Sequence, residues 1–261
     1  MLRKGDLTQG GITGTLLHFT LPMLVGSFLQ QCYNIADTLI VGQCIGAGAL
    51  AAVGSAYTLM VFLISVLLGL AMGSGTVFSL HYGAGNHVAL RRSIFSSFVL
   101  IGIVTLILNV AVFIWLDPIL RLLQGPQDIY GMMRSYLWII FCGIVFTFIY
   151  NFYASLLRAV GDSVTPLWFL AVSVVLNIAL DLFFILQLDW GIQGAAAATV
   201  LAQGVAALGI IIYTYRRRPE LRWHHEDMCF DRTCLKEIAS FSTLTCIQQS
   251  VMNLGILMVQ G

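Results

Sequence analysis

Charge is the scarcest thing in this sequence. Only 10% of its 261 residues are Asp, Glu, Lys or Arg, against about 25% in an ordinary soluble domain. A water-facing surface over most of the chain is thereby excluded. Thirteen Lys and Arg against twelve Asp and Glu leave a formal net charge of +1, so there is no basic excess to draw nucleic acid. Proline is also sparse, at five residues, which leaves long stretches free to run as helix. The six cysteines make no metal or disulfide framework. Cys32, Cys142 and Cys246 stand in apolar runs and Cys44 at the end of one, while Cys229 and Cys234 share a polar loop without C-x-x-C spacing; all six read as reduced small residues. A cleaved leader is not expected either. Leu2 to Thr15 is polar and glycine-rich, and no small-residue cleavage site follows the first apolar run.

What the chain does have is long apolar runs. Hydrophobic residues make up 59%, and the mean hydropathy is +0.90. Such runs cross about 30 Å of hydrocarbon as helices, whereas barrel strands would alternate apolar and polar over about ten residues. The expected fold is an all-α polytopic membrane protein with seven spans, over residues 15–42, 49–80, 93–116, 131–157, 164–187, 192–215 and 238–260. Residues 1–14 form a polar N-terminal segment and 15–215 a six-helix transmembrane lobe. Residues 216–237 form an inter-lobe loop, and 238–261 the first helix of a second lobe. With the N-terminus placed inside, eleven Lys and Arg fall inside and only Arg121 and Arg134 outside. This bias predicts a multi-pass protein of the plasma (inner) membrane with a cytoplasmic N-terminus.

Against that background two carboxylates stand out. Ten of the twelve acidic residues lie in loops or at helix ends, but Asp37 and Asp181 lie within apolar spans. A charge at the centre of a membrane helix costs about 3 kcal/mol on insertion scales. No Lys or Arg is buried in a span to pair with either, so the expected partner is a cation or a proton. Asn177 precedes Asp181 by four residues and shares its helical face. Asn34 and Gln30 share the face of Asp37, with Gln31 off it. Thr199 follows the small-residue run Gly194 to Ala198, which allows close helix approach; its hydroxyl either joins the site or bonds the carbonyl four residues back. Tyr136 is either an interfacial anchor or an OH aimed at the carboxylates. Pro22 removes a backbone hydrogen bond in the first span and marks a hinge or a passive bend. Oxygen donors alone suit hard cations such as Na+, and buried carboxyls suit H+.

Further along, Gly69, Gly73 and Gly75 read as a packing stripe. The third span carries one markedly polar residue, Asn109, and reads as lipid-facing scaffold. The seventh span echoes the first, with Gln248-Gln249 at the place of Gln30-Gln31 but Gly255 at that of Asp37. Because the chain stops within an apolar stretch, it reads as truncated.

Several segments together resemble the multidrug and toxic compound extrusion (MATE) transporters. They are Tyr33-Asn34-Ile35-Ala36-Asp37-Thr38-Leu39-Ile40-Val41-Gly42, Ala49-Leu50-Ala51-Ala52-Val53-Gly54, Leu157-Arg158-Ala159-Val160-Gly161-Asp162, Val175 to Asp181 and Gly191 to Thr199. The resemblance runs from about Leu16 to Gln203 and more weakly into the seventh span. It implies a twelve-helix protein of two six-helix lobes, of which this chain holds the first plus one helix, the C-terminal lobe being missing. It implies a cation-coupled (Na+ or H+) efflux antiporter for cationic or amphiphilic small molecules, working by alternating access among membrane lipids. No cofactor beyond the coupling ion and no nucleic-acid partner is implied. The family's cation or proton site matches Asp37, Asn177, Asp181 and Thr199, and its bending proline matches Pro22. Two alternatives are weaker. A lipid-linked oligosaccharide flippase would want Arg or Lys in its cavity. An intramembrane aspartyl protease, the one enzyme reading, would want Gly-x-Gly before its second Asp, where Ile178-Ala179-Leu180 stands.

Overall fold

Hydrocarbon offers a peptide group nothing to bond with, so an apolar chain must satisfy its backbone internally. This one does so as helices. The computed structural model describes residues 12–122, 129–222, 227 and 232–260. Most of the expected 1–14 segment, Cys229 and Gly261 lie outside the described residues. In chain order the long helices are α1 (Ile12–Cys44), α2 (Ala47–Gly83), α3 (His87–Leu122), α4 (Tyr130–Cys142), α5 (Ile144–Ala159), α6 (Val164–Leu182), α7 (Gly191–Arg217) and α8 (Arg232–Gln260). A π-helical turn, Phe183–Gln187, extends α6, and a 3-10 turn, Pro219–Leu221, follows α7.

Two details differ from the sequence expectation. Among the described residues, four helices are long and apolar enough by themselves to cross a membrane: α2, α3, α6 with its π turn, and α7. α1 and α8 are as long as these but are not among the four. Further, the expected fourth span, 131–157, is not one rod. It breaks at Gly143 into α4 and α5, bent by 46°.

Packing follows the small residues. α2 lies against α3, α5 and α8, and α7 against α4, α5 and α6, while α1 leans chiefly on α6. The α2–α8 contact is backbone-close. A Cβ on Gly69 would sit 2.6 Å from Cys246 Cα, and one on Gly73 would strike the backbone of Ser242 and Phe241. Ser242 Oγ donates to the Leu70 carbonyl (3.3 Å) and Cys246 Sγ to that of Val66 (3.4 Å). Between α2, α3 and α5 the core is aromatic, with Phe152 ringed by Phe78, Phe98 and Tyr153.

The arginine-rich end of the bundle is tied by an ion pair, with Arg91 Nε meeting Asp227 Oδ2 at 2.7 Å. His81 Nε2 lies 3.8 Å from Glu237 Oε2 at the same end. Between α5 and α6 the chain turns on Gly161, at φ +87°, a conformation open to glycine without a Cβ penalty. Asp162 then caps α6. Its Oδ1 accepts from Thr165 N–H (3.0 Å), and its Oδ2 accepts from Thr165 Oγ1 (2.9 Å) and from Arg218 (3.5 Å). Asp162→Ala is expected to cost about 1 kcal/mol, read as a lower thermal midpoint in detergent with the helical content kept.

Candidate functional site

The apolar run of α6 carries Asn177 and Asp181 one turn apart, on the face turned to α1 and α7. Their exposures are 1% and 0%. α1 brings Asp37 to them, with the two carboxyl groups within electrostatic reach of each other. Oδ1 of each is buried and meets no donor. Two oxygens left bare at this depth are costly unless a proton or cation takes them.

α7 supplies the third wall. Gly194 lets it close on the C-terminal end of α6, since a Cβ there would lie 3.0 Å from Phe184 Cβ and 3.2 Å from Trp190 Cβ. The π turn just beyond Asp181 widens the helix so that Phe184 and Ile185, consecutive residues, are both buried. π turns of this kind recur at functional sites. Buried Thr199 thus reaches the site. Its Oγ1 is hydrogen-bonded to Tyr33 Oη at 3.3 Å.

The amide of Asn177 is satisfied at both ends with its nitrogen toward Asp181: it donates to Oδ2 (3.0 Å), and its oxygen accepts from Thr199 N–H (3.2 Å).

The other residues singled out from the sequence divide. Tyr136 on α4 is buried and within electrostatic reach of Asp37, Tyr33 and Asp181. Asn34 donates to Gln31 Oε1 at 3.2 Å, so Gln31 joins the polar face from which helical spacing had excluded it. Gln30 is exposed. Pro22 lies inside α1, which continues through it, well over three turns from Asp37. Tyr33 was missed by the sequence reading. Its signal was there, four residues before Asp37 and so on the same face, but tyrosine in an apolar helix also reads as an anchor.

Every donor in this cluster is an oxygen or an amide. The set fits a hard monovalent cation or a proton and offers no soft ligand.

The fold and most of the sequence have likenesses among known proteins. The MatE family model matches residues 22–183. A probable multidrug resistance protein of Bacillus subtilis (strain 168), YpnP, is 36% identical over 217 residues, which is 83% of this chain and 49% of YpnP. A multidrug export protein, MepA, of Staphylococcus saprophyticus is 31% identical over 210 residues, 77% of this chain and 45% of MepA. The structure of a multidrug resistance MATE family transporter in an outward-facing conformation superposes with a TM-score of 0.91 at 24% identity. It covers 98% of this chain and 57% of that one. The chain therefore spans about half the length of the curated relatives it matches. Helices that must cross a bilayer several times, and a family model matched across α1 to α6, lead to one conclusion: this chain belongs to the MatE family of multi-pass membrane transporters, and not to a family of enzymes.

Proposed function

We propose that this chain supplies the ion-coupling lobe of a multidrug efflux antiporter driven by Na+ or H+. The observation that carries the reading is the facing pair Asp37 and Asp181, each with a buried, donorless oxygen and neither in an ion pair among the described residues. The names of the relatives, multidrug resistance and export proteins, supply the cargo class of cationic or amphiphilic small molecules.

The coupling follows from Coulomb repulsion. When both carboxylates are ionised, like charges on α1 and α6 push apart. A cation or proton between them removes that repulsion and lets α1 close on α6. Pro22 leaves one backbone bond unmade in α1 and is the natural place for it to bend as the site loads. Tyr136, Asn34 and Gln31 border this movement. Residues 15–215 act as the first lobe, 216–237 as the inter-lobe loop, and 238–261 as the opening helix of the second. The lysine and arginine bias places the α1 start and the inter-lobe loop on the cytoplasmic side of the plasma (inner) membrane.

The test uses the full-length protein in inverted membrane vesicles loaded with an organic-cation dye gradient. Transport is expected to stop when one of the two gradients, Na+ or H+, is collapsed by its own ionophore. Transport that continues at the same rate with both gradients collapsed would end the coupling reading.

A further inference from the structure

One polar residue in α3 has no place in the ion cluster, although its position in the fold is a particular one. Asn109 Nδ2 donates to the backbone carbonyl of Phe141 at 2.8 Å. α3 is therefore not plain lipid-facing scaffold at this depth. Phe141 is in the last turn of α4, where carbonyls lose their helical partners. Inside a membrane such a carbonyl needs another donor, and Asn109 supplies one from a neighbouring helix. The bend that follows costs less as a result.

On the other side of the bend sits α7. A Cβ on Gly143 would lie 2.7 Å from Val200 Cγ1 and 3.0 Å from Val200 Cβ. Val200 thus occupies the space that a side chain at the break would fill, and it is the neighbour of Thr199. One turn further along α7, Gln203 Oε1 accepts from Thr147 Oγ1 on α5 at 2.5 Å. The break and the α5 half of the span therefore hold α7 at two successive points. Both points follow directly on Thr199, the residue that bonds Tyr33 and Asn177. A small cavity lies along the same seam, bordered by Phe141, Ile144, Thr147, Thr199 and Gln203.

We infer that Asn109 and Gly143 are positioning residues for the ion site: they keep the fourth span bent, and the bend sets where Thr199 stands against Asn177 and Tyr33. The inference rests on the ion-coupling reading above. An unbroken α4–α5 rod, or a side chain at position 143, would push α7 outward and withdraw the Thr199 hydroxyl. Binding of the coupling ion would weaken, while the carboxylates themselves would be untouched.

The experiment measures dye transport by the full-length protein against coupling-ion concentration, Na+ or H+ as the gradient test decides. Four forms are compared: wild type, Asn109→Leu, Thr199→Val and the double variant. Asn109→Leu is expected to raise the half-saturating ion concentration about fivefold with the maximal rate within about twofold. Thr199→Val is expected to raise it at least as much, and the double variant to match Thr199→Val alone, because the first change acts through the second residue. Gly143→Ala should shift the ion dependence in the same direction, and Val200→Ala added to it should bring the value back toward wild type. That rescue also decides the matter if Asn109→Leu fails to reach the membrane. Additive effects in the double variant, or an unshifted Asn109→Leu beside a shifted Thr199→Val, would overturn the positioning role. If Thr199→Val shifts nothing, the ion-site reading itself fails and the positioning role falls with it.

Discussion

Asp181→Asn in the full-length protein is expected to reduce ion-driven efflux to background while the protein still inserts and folds. The replacement keeps the shape and the volume. Its amide still takes a hydrogen bond with Asn177, whose oxygen or nitrogen can be turned to meet it. What disappears is the charge that loading and unloading would switch. With Asp37 left alone, one ionised carboxyl no longer faces another across the α1–α6 contact, so the repulsion that separates the helices is gone whether or not an ion is present. The helix pair is then held in its loaded arrangement. Asp37→Asn is expected to behave alike, since the repulsion needs both partners. A second readout guards against a trivial loss. An ion that binds only the folded protein stabilises it by about 2.7 kcal/mol at a hundred times its Kd, so the wild-type thermal midpoint should rise with the coupling ion and that of Asp181→Asn should not. Efflux unchanged in Asp181→Asn would remove this carboxylate from the coupling step.

The largest effect on stability is expected at Gly73. Two tendencies oppose each other there. Alanine is favoured over glycine inside a helix by about 1 kcal/mol, and α2 is helical on both sides of this position. Yet the added methyl would strike the backbone of Ser242 and Phe241 on α8. A backbone cannot rotate out of the way as a side chain can, so α8 must move as a body. The Ser242 bond to the Leu70 carbonyl and the Cys246 bond to the Val66 carbonyl would stretch with it. Overpacking of this kind commonly costs about 1–3 kcal/mol, occasionally more, and it outweighs the propensity gain. Gly73→Ala should therefore lower the detergent thermal midpoint. Gly131→Ala serves as the control, because nothing lies within 4 Å of a Cβ at that position in α4; it should be neutral or slightly stabilising. Equal midpoints for the two variants would show that the α2–α8 seam tolerates a wider spacing.

Much of the molecule could be read from residues taken locally. The shortage of charge and the length of the apolar runs required membrane-crossing helices, because no other backbone arrangement built from continuous apolar runs satisfies its own polar groups in hydrocarbon. Asp37 and Asp181 stood out for the same reason, since an ionisable group in such a run is costly wherever the fold places it. The four-residue spacing of Asn177 and Asp181, and the glycines of α2, carried their geometry within a single helix.

The tertiary structure decided everything that depends on two helices at once. That Asp37 meets Asp181, 144 positions away in the chain, is a fact of α1 leaning on α6. Thr199 could have bonded back within its own helix, and only the closeness of α7 at Gly194 and Gly143 brings its hydroxyl to Tyr33 and its N–H to Asn177. The break in the fourth span was illegible for the same cause. A lone glycine inside an apolar run costs too little to end a helix. What ends this one is Val200 pressing from α7 and Asn109 answering a carbonyl from α3, and neither contact has any trace in the sequence around Gly143.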